Sequence, residues 1–164
     1  MSKHLKKNTQ VYIWVGIIAV LLVAFLIAPT FQNEVNRNIA THSENLRDDV
    51  RLVFPQGEIQ AQLANTLTAR ELGLSYRDKI GDNEGMLFVF DKPDIYAFWM
   101  KDMNFPLDMV WIDSGKKVVA ISENISTSTF PTSFYPPSPA MYVLEINARA
   151  AKNFGMATGT VLSF

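Results

Sequence analysis

Three apolar segments in the middle of the chain decide its fold: MLFVF at Met86–Phe90, IYAFWMK at Ile95–Lys101 and LDMVWID at Leu107–Asp113. Each has the length and the aromatic and aliphatic content of a strand. In the second segment both sets of alternating side chains are apolar, so we expect this strand to be central and covered on both sides. Three successive strands of this kind predict a β-rich domain.

Two further strands precede these segments. Val50–Phe54 is followed by a turn, and Glu58–Ala64 then alternates between apolar and polar residues, which predicts a hairpin. A capping-box pattern at 68–71 predicts a helix with Thr68 at its N-cap and its end near Gly73 or Arg77.

The remaining elements complete a mainly β domain. Strands are expected at 116–122, 141–146 and 160–164, a short helix at 148–154, and a proline-rich loop at 123–140. About eight strands and two short helices predict a β-sandwich or a squat barrel.

A long apolar run lies near the N terminus. Of the 18 residues Val11–Ala28, only Gly16 is neither apolar nor aromatic. As a helix this run would be about 27 Å long, close to the hydrocarbon thickness of a bilayer. Tyr12 and Trp14 stand at its start, where amphipathic rings favour the headgroup region. We therefore expect one transmembrane helix that contacts the lipid bilayer through Val11–Ala28.

Two alternatives to this anchor are a cleaved signal peptide and a buried core helix. A signal peptide has a shorter apolar core and a small-residue cleavage site, whereas this run ends Leu26-Ile27-Ala28-Pro29. A core helix of a soluble domain would carry polar residues at helical spacing, and none is present. Both features favour an uncleaved signal anchor.

The predicted organisation follows from the anchor and its flanking charges. Lys3, Lys6 and Lys7 place the N terminus in the cytoplasm by the positive-inside rule. We expect a single-pass protein of the cell membrane, with its domain in the periplasm or outside the cell. The predicted segments are a cytoplasmic basic tail at 1–10, a signal anchor at 11–29, a polar tether at 30–47 and the β-rich domain at 48–164.

Charge and residue content exclude several classes of function. Three of the 15 Lys and Arg residues precede the apolar run. The chain after the run therefore has 12 basic residues and all 16 acidic residues, and its net charge is negative. Nucleic-acid binding is not expected from a domain of negative net charge. The two histidines, His4 and His42, precede the domain, and the chain has no cysteine. This excludes a Ser-His-Asp triad, a cysteine nucleophile and a His- or Cys-liganded zinc site within one chain. No metal or cofactor is predicted.

One acid draws attention among the predicted strands. Asp108 shares a strand face with apolar residues, and a buried acid needs a partner, which Arg77 or Lys101 could supply. Beside Trp99, such a group would form a ligand-binding cleft or only a structural ion pair. The predicted binding residues are therefore Arg77, Trp99, Lys101 and Asp108.

Other candidate residues lie around this predicted cleft. Phe134 and Tyr135, in the proline-rich loop, are predicted to form its rim. Glu145 stands between two aliphatic residues, and its alternation with them predicts an exposed side chain. Met100 and Met103 have the spacing of soft copper ligands, but methionine is also a common core residue.

The domain resembles the bacterial and archaeal family called domain of unknown function 192. The matching elements follow the family's order: Ala64-Asn65-Thr66, Gly85-Met86-Leu87-Phe88-Val89-Phe90, Phe98-Trp99-Met100-Lys101, Pro106-Leu107-Asp108 and Val143-Leu144-Glu145. The chain departs from the family at Ser75, at Asp102-Met103 and at Ala148-Arg149. The resemblance implies a compact β-rich domain and gives no substrate.

The sequence thus predicts a non-enzymatic accessory protein of the cell envelope. Its partner could be a small polar molecule, a glycan or an extended peptide. The alternative is a hydrolase or transferase that uses paired carboxylates, Asp108 with Asp102 or Glu145. This alternative requires the two carboxyl groups to face each other across a pocket.

Overall fold

Six strands form the main sheet of the protein, in the order β1-β2-β3-β8-β5-β6. They are β1 (Asp49–Phe54), β2 (Gly57–Ala64), β3 (Glu84–Asp94), β5 (Leu107–Ile112), β6 (Val118–Ile125) and β8 (Ala140–Asn147). A second sheet has only two short strands, β4 (Phe98–Trp99) and β7 (Ser133–Phe134). The two short helices are α1 (Leu67–Leu72) and α2 (Ala150–Asn153). The predicted mainly β fold with two short helices is confirmed.

This computed structural model describes residues 29–30, 33–34 and 49–164. The predicted anchor Val11–Ala28 and most of the predicted tether lie outside these residues. Within the described part of the chain, no helix has the length and apolar character needed to cross a bilayer.

The strand pairing is antiparallel except between β2 and β3, which run parallel. The parallel connection needs a crossover, and α1 lies within it. The C-terminal residues contact both edges of the sheet: Val53 bridges Ser163 beside β1, and Lys117 bridges Val161 beside β6. The strand predicted at 160–164 is reduced to these isolated bridges.

Both faces of the sheet are buried, so the domain has two cores. The first core includes Leu52, Ile59 and Leu144, and α2 packs on it through Ala150 and Ala151. The second core lies on the opposite face and is covered by the chain that follows α1 and by the segment around β4; it includes Leu74, Met86, Phe88, Met100, Phe105, Met109 and Trp111. Every residue of β5 is buried, because this strand lies between β8 and β6 with a core on each side.

The prediction of a central strand at Ile95–Lys101 is wrong. Only Phe98–Trp99 forms a strand, and its partner is β7 rather than the main sheet. The alternation itself is real, because Phe98 and Met100 are buried while Ile95 and Trp99 are 44% and 52% exposed. The side of this segment that carries Ile95 and Trp99 is apolar, but it faces solvent instead of a further layer of the protein.

The N-cap of α1 also differs from the prediction. The helix begins at Leu67, and Thr66 rather than Thr68 caps it. The Thr66 hydroxyl oxygen accepts a hydrogen bond from the backbone N–H of Ala69 at 3.1 Å. Thr66 and Thr68 are both capping residue types, so residue type alone did not separate them. The predicted helix end at Gly73 is confirmed.

Candidate functional site

A cleft opens on the second face of the sheet, between α1 and the segment around β4. Its volume is about 250 Å³. We call it the Trp99 cleft and define it by the residues that line it, among which are Leu67, Arg70, Glu71, Ser75, Phe88, Phe90, Tyr96, Ala97, Phe98, Trp99, Lys101 and Glu145. Five aromatic residues belong to this lining, and Glu145 comes from the sheet beneath.

The turn after α1 shapes one wall of the cleft. Gly73 ends the helix with a φ of 53°, a left-handed conformation that glycine adopts without steric cost. A Cβ atom at this position would come within 3.3 Å of the Phe88 ring. Glycine therefore allows the chain to turn directly above β3.

The two walls are joined by hydrogen bonds at one end. The Ser75 hydroxyl donates to the backbone carbonyl of Lys101 at 3.0 Å, and the backbone N–H of Tyr76 donates to that of Asp102 at 2.9 Å. The Tyr76 hydroxyl also donates to the Asp102 carboxylate at 2.8 Å. This bond and the negative charge of Asp102 raise the pKa of Tyr76. The bonds hold the segment after β4 beside the turn after α1.

Aromatic contacts hold the upper part of the cleft. The rings of Phe90 and Tyr96 are stacked with centroids 3.5 Å apart, and Phe88 meets Phe98 edge to face at 4.9 Å. The Arg70 guanidinium lies 5.3 Å from the centre of the Phe90 ring and donates to the Val89 carbonyl at 2.8 Å. These contacts fix the rings in place, which favours a preformed site.

Glu145 is a buried acid in this aromatic surrounding. It lies on β8 between Met86 of β3 and Met109 of β5, and only 5% of its surface is exposed. Burial raises the pKa of Glu145 from 4.5 to about 8, and the nearby positive charge of Arg77 opposes this only in part. The predicted exposed position of Glu145 is therefore wrong. Its side chain does point away from the neighbouring aliphatic residues, but a second core covers that face.

The structure brings two of the four predicted binding residues to the cleft. Trp99 and Lys101 line it, and the Trp99 ring is half exposed at its mouth. Arg77 donates to the Gln62 side-chain oxygen at 2.8 Å and acts on Glu145 through its charge. The predicted rim residues Phe134 and Tyr135 do not line the cleft: Phe134 packs on the second core behind β4, and Tyr135 is 58% exposed.

Asp108 lies on the opposite face of the sheet and belongs to the first core. Its carboxylate is fully buried and accepts hydrogen bonds from the backbone N–H groups of Asn124 at 2.7 Å, Arg149 at 2.9 Å and Ala151 at 2.9 Å. The prediction that Arg77 or Lys101 is its partner is wrong, because backbone N–H groups at the start of α2 and near the end of β6 take that place. Asp108 has a structural role.

The paired carboxylates of the enzymatic alternative do not meet. Asp108 and Glu145 point to opposite faces of the sheet, and Asp102 is exposed and bonded to Tyr76. Within the described residues, no group of three or more His, Cys, Asp or Glu side chains is arranged to hold a metal ion. Of the two methionines considered as copper ligands, Met100 is a core residue and Met103 lines the cleft.

The contribution of α1 was not predicted from the sequence, and Glu145, which was a candidate, was predicted to be exposed rather than buried. Leu67, Arg70 and Glu71 reach the cleft only because α1 folds over β3, which no local pattern indicates. Glu145 did carry a signal, since it is a single acid within the apolar strand β8. An acid in such a strand has to be paired, neutral or functional when the surface above it is covered.

Comparison with known protein families gives a match for this chain. Residues 51–164 match the model of domain of unknown function 192, which is described as an uncharacterised ACR. No curated protein matches the chain.

Two crystal structures resemble the protein over most of the domain. The first is described as a candidate transcription regulator from Sinorhizobium meliloti 1021; it is 34% identical with a TM-score of 0.64, over 70% of this chain and 91% of that one. The second is a protein of unknown function from Novosphingobium aromaticivorans DSM 12444, 30% identical with a TM-score of 0.62, over 71% of this chain and 84% of that one.

Proposed function

The chain belongs to the family of domain of unknown function 192, and from that premise we propose that its domain is a non-enzymatic binding domain. The Trp99 cleft is the binding site, and its occupant is a small molecule. A volume of about 250 Å³ lies just below the range typical of ligand pockets. A glycan or an extended peptide would contact the mouth of the cleft but would not enter it.

The observation that carries this proposal is the buried Glu145 in an aromatic cleft. Ligand pockets combine apolar walls with a few polar groups that orient the ligand. Phe88, Phe90 and Phe98 supply the walls, and Glu145 supplies a polar group in the lining. A carboxyl group with a strongly perturbed pKa in a cleft is itself an indicator of a functional site.

Binding rather than catalysis is favoured by the surroundings of Glu145. General acid–base chemistry on a glycosidic bond needs a second carboxyl group across the substrate. Asp108 is on the other face of the sheet with its oxygens occupied by backbone N–H groups. Glu71, the other acid of the lining, lies on the exposed side of α1.

We also propose that the domain is presented outside the cytoplasm. The support for this is the sequence alone: the apolar run Val11–Ala28, the basic residues before it and the aromatic residues at its start. A single-pass anchor would make the protein an accessory component of the cell envelope, collecting its ligand near the membrane surface.

A fragment screen on the full-length protein in detergent micelles tests the binding site. Aromatic and heteroaromatic fragments are detected by ligand-observed NMR, and each hit is repeated on Ala97→Trp, which places a large ring in the cleft wall. Ala157→Trp is the matched control, because Ala157 is exposed and does not line the cleft.

We expect hits that Ala97→Trp removes and Ala157→Trp keeps. A screen without hits, or hits that persist in Ala97→Trp, would overturn the proposed site.

A further inference from the structure

One side of the small β4–β7 sheet is apolar and exposed. Phe98 pairs with Phe134 across this sheet, and both rings pack on the second core. Side chains alternate along an extended chain, so Trp99 and Tyr135, which directly follow these two residues, point away from the core. Both are more than half exposed. Ile95, on the same side of its segment as Trp99, is exposed as well.

Leu67 extends this surface across the mouth of the cleft. It is the first residue of α1, it is exposed, and it lines the cleft together with Trp99. We call Leu67, Ile95, Trp99 and Tyr135 the apolar face. They are four of the eight large apolar or aromatic side chains that are exposed among the described residues. Single exposed apolar residues are common, but a group of them on one side of a domain marks a contact surface.

Resting on the proposed membrane anchor, we propose that the apolar face lies against the bilayer, in its headgroup region. Trp and Tyr are enriched at this depth, because their rings are apolar while the N–H or O–H group stays hydrated. Leu67 and Ile95 add aliphatic contact at the boundary with the acyl chains. Lys101, which is exposed and lines the cleft with Trp99, has a long stem that covers apolar surface while its charge stays among the headgroups.

The length of chain before the domain allows this contact. The 21 residues from Pro29 to Asp49 link the apolar run to β1, and such a length spans at most about 70 Å. A domain of this size is about 35 Å across, so any of its faces can reach the bilayer. The apolar face is the one whose chemistry suits it. Because attachment keeps the domain close to lipid, a weakly binding surface is sufficient.

The charge of the domain determines which lipid it contacts. Residues 49–164 hold 10 Lys and Arg and 13 Asp and Glu. Anionic membranes attract clusters of basic residues. Beside the apolar face, however, Arg70 is followed by Glu71 and Lys101 by Asp102, so no such cluster forms there. We therefore expect contact with zwitterionic lipid, made by rings and aliphatic groups rather than by charge.

Quenching of tryptophan fluorescence by brominated lipid tests this contact. The full-length protein is placed in phosphatidylcholine nanodiscs, with or without bromine on the acyl chain near the headgroup. Of the three tryptophans, Trp14 lies in the apolar run, Trp99 on the apolar face and Trp111 fully buried in the second core. We expect brominated lipid to lower the emission of Trp14→Phe and not that of Trp14→Phe/Trp99→Phe. Equal emission of Trp14→Phe in both lipids would overturn the proposal.

Two further variants test the whole face rather than Trp99 alone. Each is built on Trp14→Phe/Trp99→Phe. Tyr135→Trp adds an emitter on the apolar face, and Val161→Trp adds one at an exposed position where the C-terminal chain bridges Lys117. We expect Tyr135→Trp to be quenched and Val161→Trp to be unaffected. Equal quenching of the two would show that the domain meets lipid without a preferred face, which would also overturn the proposal.

Trp14 separates this inference from the anchor on which it rests. In Trp99→Phe, only Trp14 and the buried Trp111 remain, so quenching reports on the anchor. Quenching in Trp99→Phe without quenching in Trp14→Phe would refute the contact and leave the anchor standing. No quenching in either variant would refute both. Dimers of an unquenched Trp14→Phe protein would assign the apolar face to a second copy of the chain.

Discussion

Asp108 and Glu145 lie on neighbouring strands of one sheet, yet their side chains enter different cores. Asp108 pairs with Ile146 across the β5–β8 ladder, and Glu145 pairs with Met109, so the pleat directs the two acids to opposite faces. Three backbone N–H groups satisfy Asp108, whereas Glu145 lines an aromatic cleft. Asp108 therefore stabilises the fold, and Glu145 is the acid that we propose to contact the ligand.

Removal of the Asp108 carboxylate should destabilise the domain without affecting the cleft. Asp108→Ala leaves the N–H groups of Asn124, Arg149 and Ala151 buried without a partner. We expect the free energy of unfolding to fall by about 3 kcal/mol or more, and by less in Asp108→Asn, which keeps one acceptor oxygen. Chemical denaturation of the full-length protein measures both. A change below about 0.5 kcal/mol in Asp108→Ala would contradict the structural role.

The stability of the folded domain should depend on pH through Glu145. Its pKa is raised from 4.5 to about 8 on folding, so the folded state holds this proton more tightly than the unfolded state. The resulting stabilisation is complete below pH 4.5 and is lost as the pH rises to about 8. The loss is on the order of a few kcal/mol, by the free energy of such a shift.

Glu145→Gln isolates this contribution, because glutamine has nearly the same shape and does not titrate. Unfolding free energies of the wild type and of Glu145→Gln should diverge with rising pH, with the wild type becoming relatively less stable. Glu123→Gln serves as the control at an exposed acid. Parallel curves for the wild type and Glu145→Gln would show that Glu145 does not titrate differently in the two states.

The half-exposed Trp99 should matter for binding more than for stability. Its ring is 52% exposed, so Trp99→Ala should change the free energy of unfolding by less than about 1 kcal/mol. The same change should weaken fragment binding about 5-fold, since the ring stands at the cleft mouth. Tyr135→Ala, at an aromatic residue that is 58% exposed and outside the cleft, should alter neither. Equal fragment affinities in the wild type and Trp99→Ala would remove Trp99 from the site.

A matched pair of threonines tests the start of α1. Thr66→Ala removes the hydroxyl that caps the helix and should cost about 1 kcal/mol. Thr68→Ala lies within the helix and should cost little, because alanine is a good helix former. Thermal unfolding of the two variants compares them directly. A larger loss in Thr68→Ala would favour the capping box predicted from the sequence.

Strand positions were predictable where one local pattern sufficed. The hairpin of β1 and β2 followed from its alternation and its turn, and β5 and β8 followed from short apolar runs. The prediction of a central strand at Ile95–Lys101 was wrong for a physical reason. Alternation shows that successive side chains point in opposite directions, but not whether the outer face meets solvent or another layer of the protein. Ile95 and Trp99 lie on the outer face of this segment, and both are exposed to solvent.

The site was less predictable, because distant parts of the chain complete it. Asp108 obtains its partners from Arg149 and Ala151, 41 and 43 residues further along. Glu145 lines the same cleft as residues of α1 and of the segment after β4, and neither is adjacent to it in sequence. The sequence did indicate Trp99 and Lys101 as candidates, but as neighbours of Asp108; they line the cleft on the opposite face of the sheet from it.

The most direct test is a crystal structure of the full-length protein purified from its native membranes. We predict density for a small molecule in the Trp99 cleft, in contact with both Trp99 and Glu145. A Trp99 cleft that is collapsed or filled only by water would contradict the proposed binding site.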